Sequence, residues 1–144
     1  MGWVDDLHGQ VVALDSAPLI YYIEEHPTYL PAIEPFFDAL ADGLLTAVTS
    51  TVTLAEVLTQ PLRLGDAQLA ATYRELLRSS TGLTLMPVTS TIAEEGARMR
   101  AAGEFRTPDA IQLATAVALG AKAFLTDDFR LTTPDLRVLV VDRL

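Results

Sequence analysis

The chain has 144 residues, half of them apolar and 20% charged, enough for one compact domain with its own core and too evenly mixed for a disordered or fibrous protein. Cysteine is absent, which excludes disulfide frameworks, thiolate zinc sites and cysteine nucleophiles and leaves oxygen and nitrogen ligands. The 19 Asp and Glu against 10 Lys and Arg give a net charge of −9, a field that opposes nucleic-acid phosphates unless carboxylates gather around divalent cations, in which case the occupied site sets the local field.

The segment Met1-Gly2-Trp3-Val4-Asp5-Asp6 carries acids where a secretion signal carries Lys or Arg, and no apolar run approaches the ~20 residues that span a bilayer. We therefore expect a soluble, cytoplasmic protein without membrane contact, a single domain over residues 1–144. Gln10 to Leu14 is β-prone and ends at Asp15, after which Ser16 is placed to cap a helix running to Glu25 with Pro18 in its first turn. Pro27 and Pro31 bracket a turn, and Ile33, Phe36, Phe37 and Leu40 recur at helical spacing in a second helix that stops near Gly43.

Leu44 to Val48 reads as a second strand, with Thr49, Ser50 and Thr51 as cap candidates for a helix from Val52 to Thr59 that Pro61 closes. A helix over 66–79, a strand over 83–86 and a helix over 92–102 ending at Gly103 follow. Thr107 is placed to cap a further helix with Pro108 at its first position, running to Leu119 with Gly120 as its stop. Lys122 to Thr126 and Arg137 to Val141 complete the strands. Strands separated by helices imply right-handed crossovers and helices on both faces. The expected class is α/β: a three-layer α/β/α sandwich around a mostly parallel central sheet.

Open α/β sheets place their sites at the carboxyl ends of the strands, and there the chain carries acids. Asp15 ends the first strand, Glu56 lies on the helix after the second, Asp109 opens a late helix, and Asp127-Asp128 ends the strand at Thr126. Singly, each has an ordinary structural role. Asp15 and Asp109 suit a helix start, Glu56 shares a polar helical face with Thr53, Thr59 and Gln60, and Asp127 and Asp128 suit a chain reversal. Converging acids would repel and raise one another's pKa, a conflict that a cation resolves. Oxygen ligands, with only His8 and His26 besides, point to Mg²⁺ or Mn²⁺ in preference to zinc.

Four segments together, Ala13-Leu14-Asp15-Ser16-Ala17-Pro18-Leu19-Ile20, Thr53-Leu54-Ala55-Glu56-Val57-Leu58, Thr107-Pro108-Asp109-Ala110-Ile111-Gln112-Leu113-Ala114-Thr115-Ala116 and Phe124-Leu125-Thr126-Asp127-Asp128-Phe129-Arg130-Leu131, resemble the acidic motifs of PIN-domain ribonucleases, in particular the VapC toxins of bacterial toxin–antitoxin pairs. Order and spacing agree over nearly the whole chain. The resemblance implies a PIN-like fold with Asp15, Glu56, Asp109 and Asp128 as the catalytic, metal-holding acids. The Thr-x-Asp segment selects Asp128 and puts Asp127 where Asn is more usual, which leaves the last acid open between the two. Ser16 and Thr126, with Asp127, would support the acids or hold water, with a cap role open for Ser16.

The activity so implied is metal-dependent hydrolysis of RNA phosphodiesters by an activated water, with Arg98, Arg100, Arg106 and Arg130 as RNA-contact candidates. The implied partners are an RNA substrate, a cognate antitoxin seated near the apolar surface of Tyr21, Tyr22, Ile23, Phe36 and Phe37, and a second copy in a homodimer. An RNA-processing nuclease without an antitoxin and an inactive binding module on the same fold stay open. Other α/β sites fit less well. A receiver domain needs a lysine after a late strand, whereas the only lysine, Lys122, precedes one. A haloacid-dehalogenase-type phosphatase needs an acid at Ala17, and serine hydrolysis needs a late histidine.

Overall fold

The computed structural model describes residues 2–144. Its strands are β1 (Val11–Leu14), β2 (Thr46–Ser50), β3 (Leu83–Met86), β4 (Ala123–Thr126) and β5 (Arg137–Val140). Its helices are α1 (Ser16–Ile23), α2 (Leu30–Ala41), α3 (Thr51–Leu64), α4 (Ala67–Ser79), α5 (Ser90–Ala102) and α6 (Thr107–Ala118), with short 3₁₀ turns at Asp5–Leu7 and Val141–Arg143. The strands form one sheet in the order β3-β2-β1-β4-β5, every pair parallel. From central β1 the chain winds out through β2 and β3, then returns to β4 and β5 on the other side. The α/β/α class expected from the alternation of strands and helices is the one observed.

Side chains alternate across the sheet because strand residues point to opposite faces. Val12 and Leu14 of β1 and Ala123 and Leu125 of β4 pack with Leu19, Ile33, Phe36, Phe37, Val57, Tyr73 and Leu77 from α1 to α4. Ala13, Val48 and Phe124 turn the other way, onto Leu113 and Ala116 of α6 with Met99 of α5 beside them. Strands covered on both faces read as unbroken apolar runs, as Val11-Val12-Ala13-Leu14 does.

Several boundaries depart from the sequence reading, each for a local reason. Asp15, not Ser16, is the N-cap of α1, its carboxylate accepting the Ser16 N–H, so Ser16 is the first helical residue. Pro31 lies in the first turn of α2, where its missing N–H costs nothing, and does not extend the turn begun at Pro27. β2 sits two residues later than expected and takes in Thr49 and Ser50, leaving Ser50 as the cap of α3. Pro61 does not close α3. Its ring is buried, and the helix continues one turn to Gly65, which takes the left-handed conformation at φ 71°. Thr107 is the first residue of α6 and Pro108 follows it; Arg106 precedes them without a side-chain cap. No helix among the described residues is long and apolar enough to cross a membrane.

Candidate active site at the carboxyl edge of the sheet

The winding order reverses between β1 and β4, and the crevice outside such a reversal is where open α/β sheets bind ligands. Asp15 stands there, 8% exposed. One carboxylate oxygen accepts the Ser16 backbone N–H at 2.8 Å and the other the Thr126 hydroxyl at 2.7 Å. The backbone N–H of Asp15 meanwhile bonds the Leu125 carbonyl, so both strands fix its position. Burial is the main cause that pushes the Asp15 pKa up to about 6. The bonds from Thr126 and Ser16 oppose it, and the charges of Glu56 and Asp109 add to it.

Two hydroxyls connect Asp15 to its neighbours. Ser16, whose N–H holds Asp15, donates its hydroxyl to Glu56 Oε1 at 3.1 Å, tying exposed Glu56 on α3 to the start of α1. Thr126, fully buried, donates to Asp15 and accepts the Asp128 N–H at 3.1 Å. Asp128 is gripped by Arg130, whose Nε and terminal nitrogen reach its two oxygens at 3.0 and 2.9 Å and whose N–H bonds Oδ1. That pairing holds the Asp128 carboxyl below the usual carboxylate range. Asp127 turns the other way and accepts the Tyr21 hydroxyl at 2.7 Å. Asp109, in the first turn of α6, pairs with Arg106 at 3.2 Å.

Asp109 and Asp128 open onto one cleft of about 860 Å³, together with Arg106, Arg130, Phe105 and Thr132. The other two arginines singled out in the sequence are not among its lining. Arg98 is spent along α5 on Glu94 and Glu95, and Arg100 donates to the Thr107 hydroxyl at the start of α6. Tyr22 and Phe37 stack with ring centroids 4.0 Å apart and line a separate groove of about 320 Å³ with Leu40, Ala41 and Leu76.

The donor set suits a hard divalent cation, being oxygen throughout and centred on a carboxylate whose pKa is raised chiefly by burial, with the charges of two neighbouring acids adding to it. Among the described residues, however, no three carboxylates or histidines stand close enough together to hold an ion as they are placed. Asp109 and Asp128 each face an arginine, and both would have to exchange that partner for the ion.

Sequence reading missed the residues beneath the acids. Thr53, read as part of a polar helical face with Glu56, is fully buried, and so are Thr49 and Gln112. The available signal was a single Gln inside the apolar run Ala110-Ile111-Gln112-Leu113-Ala114, since a polar side chain in such a run requires a buried partner.

A parallel five-stranded sheet with acids along its carboxyl edge at the switch point places the chain among the open α/β/α folds. Within that class the chain belongs to the PIN domain family, whose profile matches residues 12–135. It is similar in structure to VapBC2 from Rickettsia felis, solved bound to a DNA fragment from their promoter, at a TM-score of 0.71 and 16% identity over 90% of this chain and 98% of the other. It is similar to FitAcB from Neisseria gonorrhoeae at 0.68 and 18% over 92% and 99%. It is also similar to the sarcin–ricin-loop-cleaving toxin VapC20 from Mycobacterium tuberculosis at 0.64 and 16% over 78% and 86%. At these identities the likeness is one of fold. No protein of curated function matches the sequence.

Proposed function

We propose that this PIN-domain protein is a Mg²⁺- or Mn²⁺-dependent endoribonuclease and the toxin of a toxin–antitoxin pair. The observation that carries this reading is Asp15, buried at the switch point, held through both oxygens, and close enough to Glu56 and Asp109 for their charges to raise its pKa. Asp15, Asp109 and Asp128 would hold the ion directly and Glu56 through water. When bound, the ion supplies acidification of a water and neutralisation of charge building on phosphate oxygens.

The remaining work falls to the chain's own residues. Ser16 and Thr126 aim the two oxygens of Asp15, so its lone pairs need no reorganisation when a cation or water arrives. Arg106 and Arg130, once released from Asp109 and Asp128, are the cations of the cleft and suit bidentate contact with backbone phosphate. Phe105 in the same cleft offers a ring to an unstacked base, which favours single-stranded or loop RNA over duplex. The similar fold of VapC20, a sarcin–ricin-loop-cleaving toxin, supports the nuclease half of the reading, and that of a toxin–antitoxin complex from Klebsiella pneumoniae supports the antitoxin half. The Tyr22–Phe37 groove is the apolar surface that an antitoxin helix would cover, and the family resemblance also implies a homodimer.

The test is cleavage of a mixed RNA pool with Mg²⁺ or Mn²⁺, with and without chelator, comparing the wild type with Asp15→Asn after both are shown to be folded. Cleavage is expected from the wild type with metal alone, with a loss of at least a hundredfold in the variant. Equal cleavage by the two proteins would sink the assignment. Toxicity is tested separately as growth arrest on expression, relieved by Asp15→Asn.

A further inference from the structure

Gln112, Thr53 and Thr49 are 2%, 0% and 1% exposed and form one continuous line. Gln112 Nε2 lies 2.6 Å from Thr53 Oγ1, Thr53 Oγ1 lies 2.8 Å from Thr49 Oγ1, and Thr49 Oγ1 lies 2.9 Å from the Leu14 carbonyl oxygen. Donor inventory sets the direction of every bond. The Leu14 carbonyl only accepts, so the single Thr49 proton goes to it. Thr53 must then donate to Thr49, and the Gln112 amide donates to Thr53. No buried side-chain nitrogen or oxygen among the described residues lacks a partner, so the line is satisfied along its length.

The two ends and the middle of this line lie on the three elements that carry acids. Gln112 is one turn after Asp109 on the same side of α6, Thr53 is one turn before Glu56 on α3, and Leu14 immediately precedes Asp15. The β1–β2 ladder ends at the pair Ala13 and Val48, so the Leu14 carbonyl would be orphaned without the Thr49 hydroxyl. Above the line, the charges of Glu56 and Asp109 act against that of Asp15 and push the elements apart. Close apolar packing also resists such a force, but a satisfied line of buried hydrogen bonds adds directional links that join the three elements at defined atoms.

We propose that Gln112, Thr53 and Thr49 are positioning residues that set the spacing of Asp109, Glu56 and Asp15, an inference that rests on reading those acids as metal-holding. The experiment measures Mn²⁺ binding to the full chain by electron paramagnetic resonance, with thermal stability recorded alongside. Gln112→Met and Thr53→Val should each weaken Mn²⁺ binding about tenfold, the lower end for residues that orient metal ligands from behind. Thr53→Ser keeps the hydroxyl and should stay within about twofold of the wild type. Leu77→Ala, a core truncation on α4, should lower stability at least as far and leave Mn²⁺ binding within about twofold.

Wild-type affinity in Gln112→Met and Thr53→Val, or an equal loss in Leu77→Ala, would overturn the positioning role. A wild-type protein that binds no Mn²⁺ overturns the metal reading instead. The positioning role is then decided by the crystal structure of Thr53→Val: a wider separation of Asp109 from Glu56 supports it, and an unchanged one overturns it.

Discussion

Asp15 is both a helix cap and a buried acid among acids, and the two roles act on its proton in opposite senses. The cap bond from Ser16 and the bond from Thr126 favour the carboxylate, but burial outweighs them and carries the pKa to about 6. With the folded value above the ordinary one of 3.8, the folded chain holds a proton between the two values that the unfolded chain has released. This contribution to stability is therefore complete below about pH 4, falls as pH rises to about 6, and is level above. Its full size is on the order of 3 kcal/mol at most. In chelator, the urea midpoint of the wild type should fall relative to that of Asp15→Asn across this window. The variant does not titrate at this position, and its amide must accept from Ser16 and donate to Thr126 in place of the two bonds that the carboxylate accepts, so the expected signature is a pH-dependent difference superimposed on whatever offset that rearrangement costs. Parallel profiles would show that Asp15 titrates normally.

At the scale of elements, the helices that carry the acids are held by their ends and by close contact. α3 starts at the Ser50 cap and stops at Gly65 in a conformation that side chains resist. Gly65→Ala meets no neighbour but is strained by its φ, and should cost about 1 kcal/mol, a few degrees in Tm. Gly96 of α5 faces Ile111 of α6, where an added Cβ would lie 3.4 Å from the Ile111 side chain, an ordinary contact. Gly96→Ala should therefore fit and gain up to about 1 kcal/mol from helix propensity, while Gly96→Leu should destabilise by forcing α5 away from α6. Thermal melts of the three variants check these signs. A destabilised Gly96→Ala would mean that the α5–α6 contact is tighter than the distances indicate.

Across the whole molecule, the net charge is −9, and under the proposed function the cleft with Arg106 and Arg130 is where RNA phosphate would be attracted. Two phosphate contacts to a single strand predict a log–log salt slope of about −1.4 for RNA binding. The Asp15→Asn protein allows this to be measured by fluorescence anisotropy without cleavage, and a slope several times steeper would reveal a second basic surface. Mn²⁺ at 100 times its Kd should stabilise the wild type by about 2.7 kcal/mol, and Asp15→Asn or Asp109→Asn should abolish the gain. Equal stabilisation of wild type and variants would place the ion elsewhere.

From the amino-acid order alone came the alternation of strands and helices, the parallel sheet, and acids at the strand and helix ends, because period, caps and turn residues act locally and are written along the chain. The same local signals misplaced β2 by two residues and stopped α3 at Pro61, since ladder partners and a buried ring outweighed propensity there. Which arginines border the cleft was decided only by tertiary packing. Arg98 and Arg100 lie 11 and 9 positions before Asp109, yet neither lines the cleft that Asp109 enters: Arg98 pairs with Glu94 and Glu95 on its own helix and Arg100 donates to Thr107. The burial of Thr53 and Gln112, and the facing of Asp128 rather than Asp127 into the cleft with Asp109, likewise depend on partners 59 and 106 positions away. No window of sequence contains both members of such a pair.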